Sequence, residues 1–187
     1  IEATEYDANI QVPVKMFSYR TPSMKSRDAY VLDMISTLLT GGKSSRMYER
    51  MVDEEKIALQ VIAFARSQED YGVYNVGALA MGETPLSKLA EVMDEEIEKV
   101  KTELISEKEY QKLQNQFENQ FVNSNSSIEG IASSLATYHV LHGDTELINK
   151  EIEIYKDITR EDIRDVAKKY LQKDKRLELD YLPESNK

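Results

Sequence analysis

The sequence predicts an α+β fold in which an antiparallel sheet is covered by several helices, and three observations carry that reading. Near the start, Ile10, Val12, Val14 and Met16 alternate with Gln11, Pro13 and Lys15, the period of a half-buried strand. Residues 57–65 and 72–81 are apolar runs joined by the short polar stretch 66–70, the pattern of an antiparallel hairpin. Beyond Thr84 the apolar residues return at helical spacing, so strands and helices do not alternate as in a doubly wound parallel sheet. One domain over residues 1–187 is expected, with no linker or low-complexity tract inside it.

The first strand runs on through Phe17 and Tyr19, and Pro13 favours a strand start or a sheet edge. Residues 23–39 read as a helix from Tyr30, Met34, Thr37 and Leu38, with Leu32, Ile35 and Leu39 widening the apolar stripe. Gly41-Gly42 ends it, since glycine takes the left-handed conformation without steric cost, and at least one of the two is expected at positive φ. A shorter helix over 44–54 follows, with Ser44 or Ser45 as its cap. After the hairpin, Thr84-Pro85 reads as an N-cap and first helical position for a helix burying Leu86, Leu89, Met93, Ile97 and Val100. The charged residues 91–103 read as its solvated face, with Glu95 and Lys99 as surface neighbours and Glu107 and Gln111 as another such pair. Ser106 and Glu109 form a capping box, with Ile105 and Tyr110 as a hydrophobic staple, for a helix presenting Tyr110, Leu113, Phe117 and Phe121. The polar run 123–127 breaks that helix, and the next carries Ile128, Ile131, Leu135 and Tyr138 before Gly143. Thr159 and Asp162 repeat the cap signal for a helix burying Val166, Ala167 and Tyr170, and Leu177, Leu179 and Tyr181 form a closing strand.

Composition narrows the function. The 24 basic and 34 acidic residues give a formal net charge of -10, the wrong sign for a nucleic-acid binder, which needs a positive stripe to replace counterions. No apolar run approaches the length of a membrane span, and no basic amphipathic face suggests an anionic membrane, so no membrane insertion is expected. With no cysteine, thiol chemistry, disulfides and cysteine-ligated metals are excluded, while bacterial periplasm and cytoplasm both stay open. The chain opens on Ile1 rather than methionine, which suggests a processed precursor or a piece of a longer protein.

Few residues invite chemistry. Gly42-Lys43-Ser44 is the second half of a phosphate-binding loop, but the earlier glycine of that motif falls at Thr37, inside a helix. A helix exit gathers carbonyls rather than amides, the wrong polarity for an anion, so the stretch reads as a helix-turn-helix corner. The only histidines, His139 and His142, are three apart on one helix; a catalytic zinc needs three protein ligands, so His139 is expected to be packed on the apolar side rather than metal-bound. Asn125-Ser126-Ser127 fits the glycosylation pattern, and no serine lies in a Gly-x-Ser-x-Gly setting. Metal ligands and catalytic residues in this chain: none are assigned.

The stretch LLTGGKSSRMYERMVDEEKIALQVIA resembles the non-catalytic domain of the insulinase and pitrilysin type of zinc peptidases, which includes the mitochondrial processing peptidases and their bacterial relatives. Leu38, Leu39, Gly41, Gly42, Ser44, Ser45, Arg46, Met47 and Tyr48 follow the corner that such domains carry. Residues 157–183 are similar to the family's domain end, so the resemblance covers nearly the whole chain. It implies a zinc held elsewhere, in a sister domain, by an inverted His-x-x-Glu-His motif and a distant glutamate; that motif is absent here. It also implies that the arginine and tyrosine that grip substrate backbone in the family's C-terminal half fall at Val52 and Leu59, which cannot donate the hydrogen bonds.

The resemblance leaves two readings: the second domain of a longer zinc-dependent peptidase, or a degenerate half that scaffolds or encloses substrate. A free-standing module for a peptide or protein is a third, from a different class. The first strand and helix of the family's domain are expected to lie before Ile1. Partners are then other domains of the same polypeptide and a peptide substrate, which an acidic wall would bias towards basic sequences. No cofactor is expected in this chain, and zinc is implied for its parent.

Overall fold

The computed structural model describes residues 1–184. Five strands make one sheet: β1 (Glu2–Asp7), β2 (Val14–Pro22), β3 (Ala58–Arg66), β4 (Tyr71–Ala80) and β5 (Arg176–Pro183), in the order β1-β5-β2-β4-β3. Pairing is antiparallel except between β1 and β5, which run parallel. The helices are α1 (Arg27–Thr40), α2 (Leu86–Thr102), α3 (Glu107–Ser124), α4 (Ile128–Thr137), α5 (Leu147–Lys156) and α6 (Arg160–Tyr170). The α+β class, the β3–β4 hairpin and both capping boxes agree with the sequence reading. β1 and α5 are elements that reading passed over.

The core forms where one face of the sheet meets α1, α2 and α6. Phe17, Tyr19, Tyr74, Val76 and Ala78 point into it and meet Leu32, Ile35, Leu39, Leu89, Met93, Ile163 and Ala167. In β2 the phase is the reverse of the expected one. Lys15, Phe17, Tyr19 and Thr21 are buried, while Ile10, Val12, Val14 and Met16 are half-exposed, and Ile10 and Val12 precede the strand. The inward lysine misleads the pattern; its charge is met by Asp180 at 2.7 Å and Glu178 at 3.4 Å on β5.

The uncovered face is apolar as well. Cross-strand register aligns Ala3, Leu179, Met16, Gly77 and Ile62 in one row across all five strands. A neighbouring row holds Leu177, Ser18, Asn75 and Phe64, in which the Ser18 hydroxyl donates to Asn75 Oδ1 at 2.7 Å.

Three local expectations change. Ser26 caps α1, which therefore starts at Arg27 rather than near residue 23. Thr84 does not cap α2: its hydroxyl donates to the Met81 carbonyl at 2.7 Å, and Pro85 occupies the cap position. α4 buries no side chain, and Ile128 is 89% exposed, so its apolar stripe is not part of this core; Tyr138, just beyond it, is buried.

Candidate functional site

The corner after α1 is built from close backbone approach. Gly41 closes α1 with its amide donating to the Thr37 carbonyl at 2.8 Å. A Cβ on Gly41 would lie 2.4 Å from that oxygen, although the backbone φ of -75° is ordinary. Gly42 takes φ +97°, as expected of one glycine of the pair. Neither serine caps the next segment by accepting from an amide. Ser45 is buried and its hydroxyl donates back to the Gly42 carbonyl at 2.6 Å, closing the turn from within. The chain then enters a π-helical stretch, Tyr48–Glu54, rather than an ordinary α-helix.

Two cations tie this corner to the first turns of α3. Arg46 donates from Nε and Nη2 to the two oxygens of Glu109 at 2.6 and 3.0 Å, a bidentate pair. Glu109 is also the capping-box residue of α3, accepting from the Ser106 amide and hydroxyl. In return Lys112 Nζ donates to the Ser44 carbonyl and hydroxyl at 2.7 and 2.6 Å. The Arg46 guanidinium, with the Ser106 bonds adding to it, holds the Glu109 pKa at about 2 against partial burial. A depressed carboxyl contributes stability above its ordinary value of 4.5 and loses it as pH falls towards 2. Arg46→Ala is therefore expected to lower the melting temperature at pH 7, with the gap to the parent chain narrowing in thermal melts taken from pH 5 down to 3. A gap that stayed constant would place the arginine's contribution elsewhere.

Val52 is half-buried against the core on the π-helical stretch, and Leu59 is 51% exposed where β3 bulges between Ala58 and Gln60. Tyr48 also packs against the core. Arg50, one turn on from Arg46, bridges to α2: it meets Glu55 at 2.7 Å, Glu96 at 2.9 Å and Glu95. Glu96 is 3% exposed and also bonds Lys99 at 2.7 Å. The expected surface pair Glu95–Lys99 is thus replaced by Glu95–Arg50 and Glu96–Lys99, and residues 91–103 are not wholly a solvated face. Gln111 bonds Asn115 rather than Glu107.

A second polar cluster was not found from sequence. Arg176 of β5, 3% exposed, stacks 3.5 Å from the centre of the Phe17 ring and binds Asp94, Glu178 and the Tyr19 hydroxyl. Burial works against the Asp94 carboxylate, yet Arg176 and Lys173 together keep its pKa below the ordinary range; Glu178 is lowered in the same way by Arg176 and Lys15. Burial raises the Tyr19 phenol to about 12. A cleft of about 560 Å³ opens beside this cluster, between β1–β5 and the start of α2, with Glu2, Glu91, Asp94 and Asp180 on its walls beside Lys15 and Lys173.

The histidines do not converge. His139 is exposed rather than packed, because the α4 stripe it continues has no cover, and His142 lies edge-on to Tyr138 with ring centres 5.9 Å apart. Among the described residues no group of three or more His, Asp or Glu side chains is placed to hold a metal ion. Asn125 of the glycosylation pattern is half-buried, with Nδ2 donating to the Phe121 carbonyl at 3.2 Å.

Residues 4–117 match the family model described as the peptidase M16 inactive domain. The chain belongs to the peptidase M16 family. The M16 match agrees with the insulinase-type resemblance drawn from the corner. The domain is 28% identical over 158 residues to the zinc protease PqqE of Helicobacter pylori, across 82% of this chain and 34% of that protein. It thus spans about a third of the curated relative's length. Its fold is that of a Helicobacter pylori protease structure, with a TM-score of 0.89 at 22% identity over 96% of this chain and 43% of that one. An inactive peptidase domain from Bordetella parapertussis matches with a TM-score of 0.81 at 23% identity, over 91% of this chain and 92% of that one.

Proposed function

We propose that this chain is one non-catalytic domain of a zinc-dependent peptidase, a wall that helps enclose a peptide substrate while a sister domain supplies the zinc and the general base. The observation that carries the reading is the uncovered sheet face. Its row Ala3, Leu179, Met16, Gly77 and Ile62 presents an apolar surface too regular to be incidental, on a domain of a family whose matched model is an inactive domain. The corner Gly41, Gly42, Ser44, Ser45, Arg46 and Tyr48 then has a structural role, fastening the exit of α1 to α3. Val52 and Leu59 cannot orient a substrate carbonyl, so any grip on the substrate backbone falls to other parts of the parent.

Metal analysis and a peptidase assay test the reading together. The isolated chain is expected to hold no stoichiometric zinc after dialysis and to cleave no peptide, whereas the parent polypeptide does both and loses cleavage to a chelator. One tightly held zinc on the isolated chain would overturn the assignment. A parent that binds no zinc would favour the degenerate scaffold instead. In an active parent, Met16→Asp with Ile62→Asp is expected to raise KM while leaving zinc content unchanged.

A further inference from the structure

Two carboxyls and three tyrosines meet where α5 lies on α1. Asp33, in the middle of α1, accepts from the Tyr155 hydroxyl of α5 at 3.4 Å, the outer limit of a hydrogen bond. Glu151, one turn earlier on α5, accepts from the Tyr138 hydroxyl at 2.6 Å. Tyr30 of α1 stands edge-on to Tyr155 at 5.3 Å, and Phe117 of α3 stacks on Tyr155 at 4.4 Å. The groups whose charge or hydroxyl acts on Asp33 are Tyr155 and Glu151 from α5, and Asp33 in turn acts on Tyr30 beside it and on Tyr74 of β4. No cation is among them.

This contact is also poorly filled. A cavity of about 160 Å³ adjoins it, lined by Phe117, Ser134, Tyr138, Glu151 and Tyr155 among others, and the buried Asn125 Oδ1 beside it has no hydrogen-bond partner. α4 contributes no buried side chain, and the segment from α4 through α5 is held by Tyr138 and Ile152, by Ile154 and Tyr155 packed on the core, and by the Gln114 side chain, which donates to the Tyr155 carbonyl at 2.9 Å.

We propose that Asp33, with Glu151 beside it, forms an acid-closed latch, which seats α5 on α1 when Asp33 is neutral and lets the segment 128–157 open more readily when Asp33 is charged. Asp33 and Glu151 are each half-buried, and with no cation among the groups that act on Asp33, ionising it in this cluster is unfavourable. Burial pushes the Asp33 carboxyl up to about 6 against the Tyr155 hydrogen bond, and the Glu151 charge adds to the rise. On opening, Asp33 regains its ordinary value of 3.8. Closure is therefore complete in acid, weakens as pH climbs from about 4 to about 6, and is flat above that range.

Hydrogen–deuterium exchange of the intact chain tests this, with rates corrected for the intrinsic pH dependence of exchange. Opening of 128–157 is expected to rise about 10-fold between pH 5 and 7.5, from the two carboxyl values above, while α2 changes little. In Asp33→Asn the rise disappears. A flat profile in the unaltered chain, an unchanged slope in Asp33→Asn, or an equal slope in α2 would each overturn the latch. Should that variant not fold, carbon NMR titration of the Asp33 carboxyl in the unaltered chain decides: a midpoint near 6 supports the latch, and one at or below 4 overturns it.

Discussion

Arg176→Met is expected to be among the most damaging single changes in this domain, costing about 3–5 kcal/mol in urea unfolding at pH 7. The guanidinium side chain is 2% exposed, whereas Asp94 and Glu178 are 23% and 18% exposed, so the variant leaves two half-buried carboxylates without their main counter-ion. Methionine restores the packing on Phe17, so the loss is one of charge rather than volume. The pH dependence makes the cause visible. Without Arg176, burial raises both carboxyls instead of leaving them depressed, so they take up protons more readily in acid and the penalty shrinks. The gap between variant and parent should therefore be smaller at pH 4 than at pH 7. A loss of about 1 kcal/mol or less, the scale of an exposed ion pair, would mean that Lys15 and Lys173 suffice to neutralise the cluster.

The glycine corner is the second position of large effect. Gly42→Val is expected to cost about 1–3 kcal/mol, because a β-branched side chain is strained at φ +97°. Gly41→Ala should cost about as much for a different reason: its Cβ would press on the Thr37 carbonyl, a backbone atom that cannot swing aside. Lys43→Ala, between these glycines and the anchored serines, should change almost nothing, since Lys43 is exposed and makes no bond in the corner. Urea unfolding of the three variants separates the readings. If Lys43→Ala collapsed the domain while the glycine variants were tolerated, the stretch would be acting as an anion-binding loop after all.

What could be read from the residues was local. The Ser106–Glu109 and Thr159–Asp162 capping boxes are complete within four residues, and the β3–β4 hairpin needs only its two runs and a short polar link. The corner motif was also visible, but its partners were not, because Glu109 and Lys112 lie more than sixty residues away. The phase of β2 escaped for the same reason: an inward lysine becomes sensible only once Asp180 and Glu178 stand beside it. β1 was passed over because Glu2, Glu5 and Asp7 make it too polar for a covered strand, a composition that suits an edge. In α4 the periodicity correctly marks an apolar side. Periodicity cannot tell what provides the cover, and among the described residues nothing does.

The strand order bears on how such a domain is made. Of the five strands β5 comes last in sequence, yet it lies between β1 and β2, the first two. During synthesis the two earliest strands have no mutual pairing to form, and one edge of β2 stays bare until residues 176–183 leave the ribosome. At the usual rate of about 5–20 residues per second, that wait lasts on the order of 10 s or more, with an apolar strand edge open to any extended chain nearby. The hairpin and α1 can settle early, whereas closing the sheet requires bringing β5 back to β1 and β2 across all the intervening chain, a slow search by loop-closure entropy. Removal of β5 should thus leave a nascent-like, aggregation-prone intermediate rather than a slightly smaller domain.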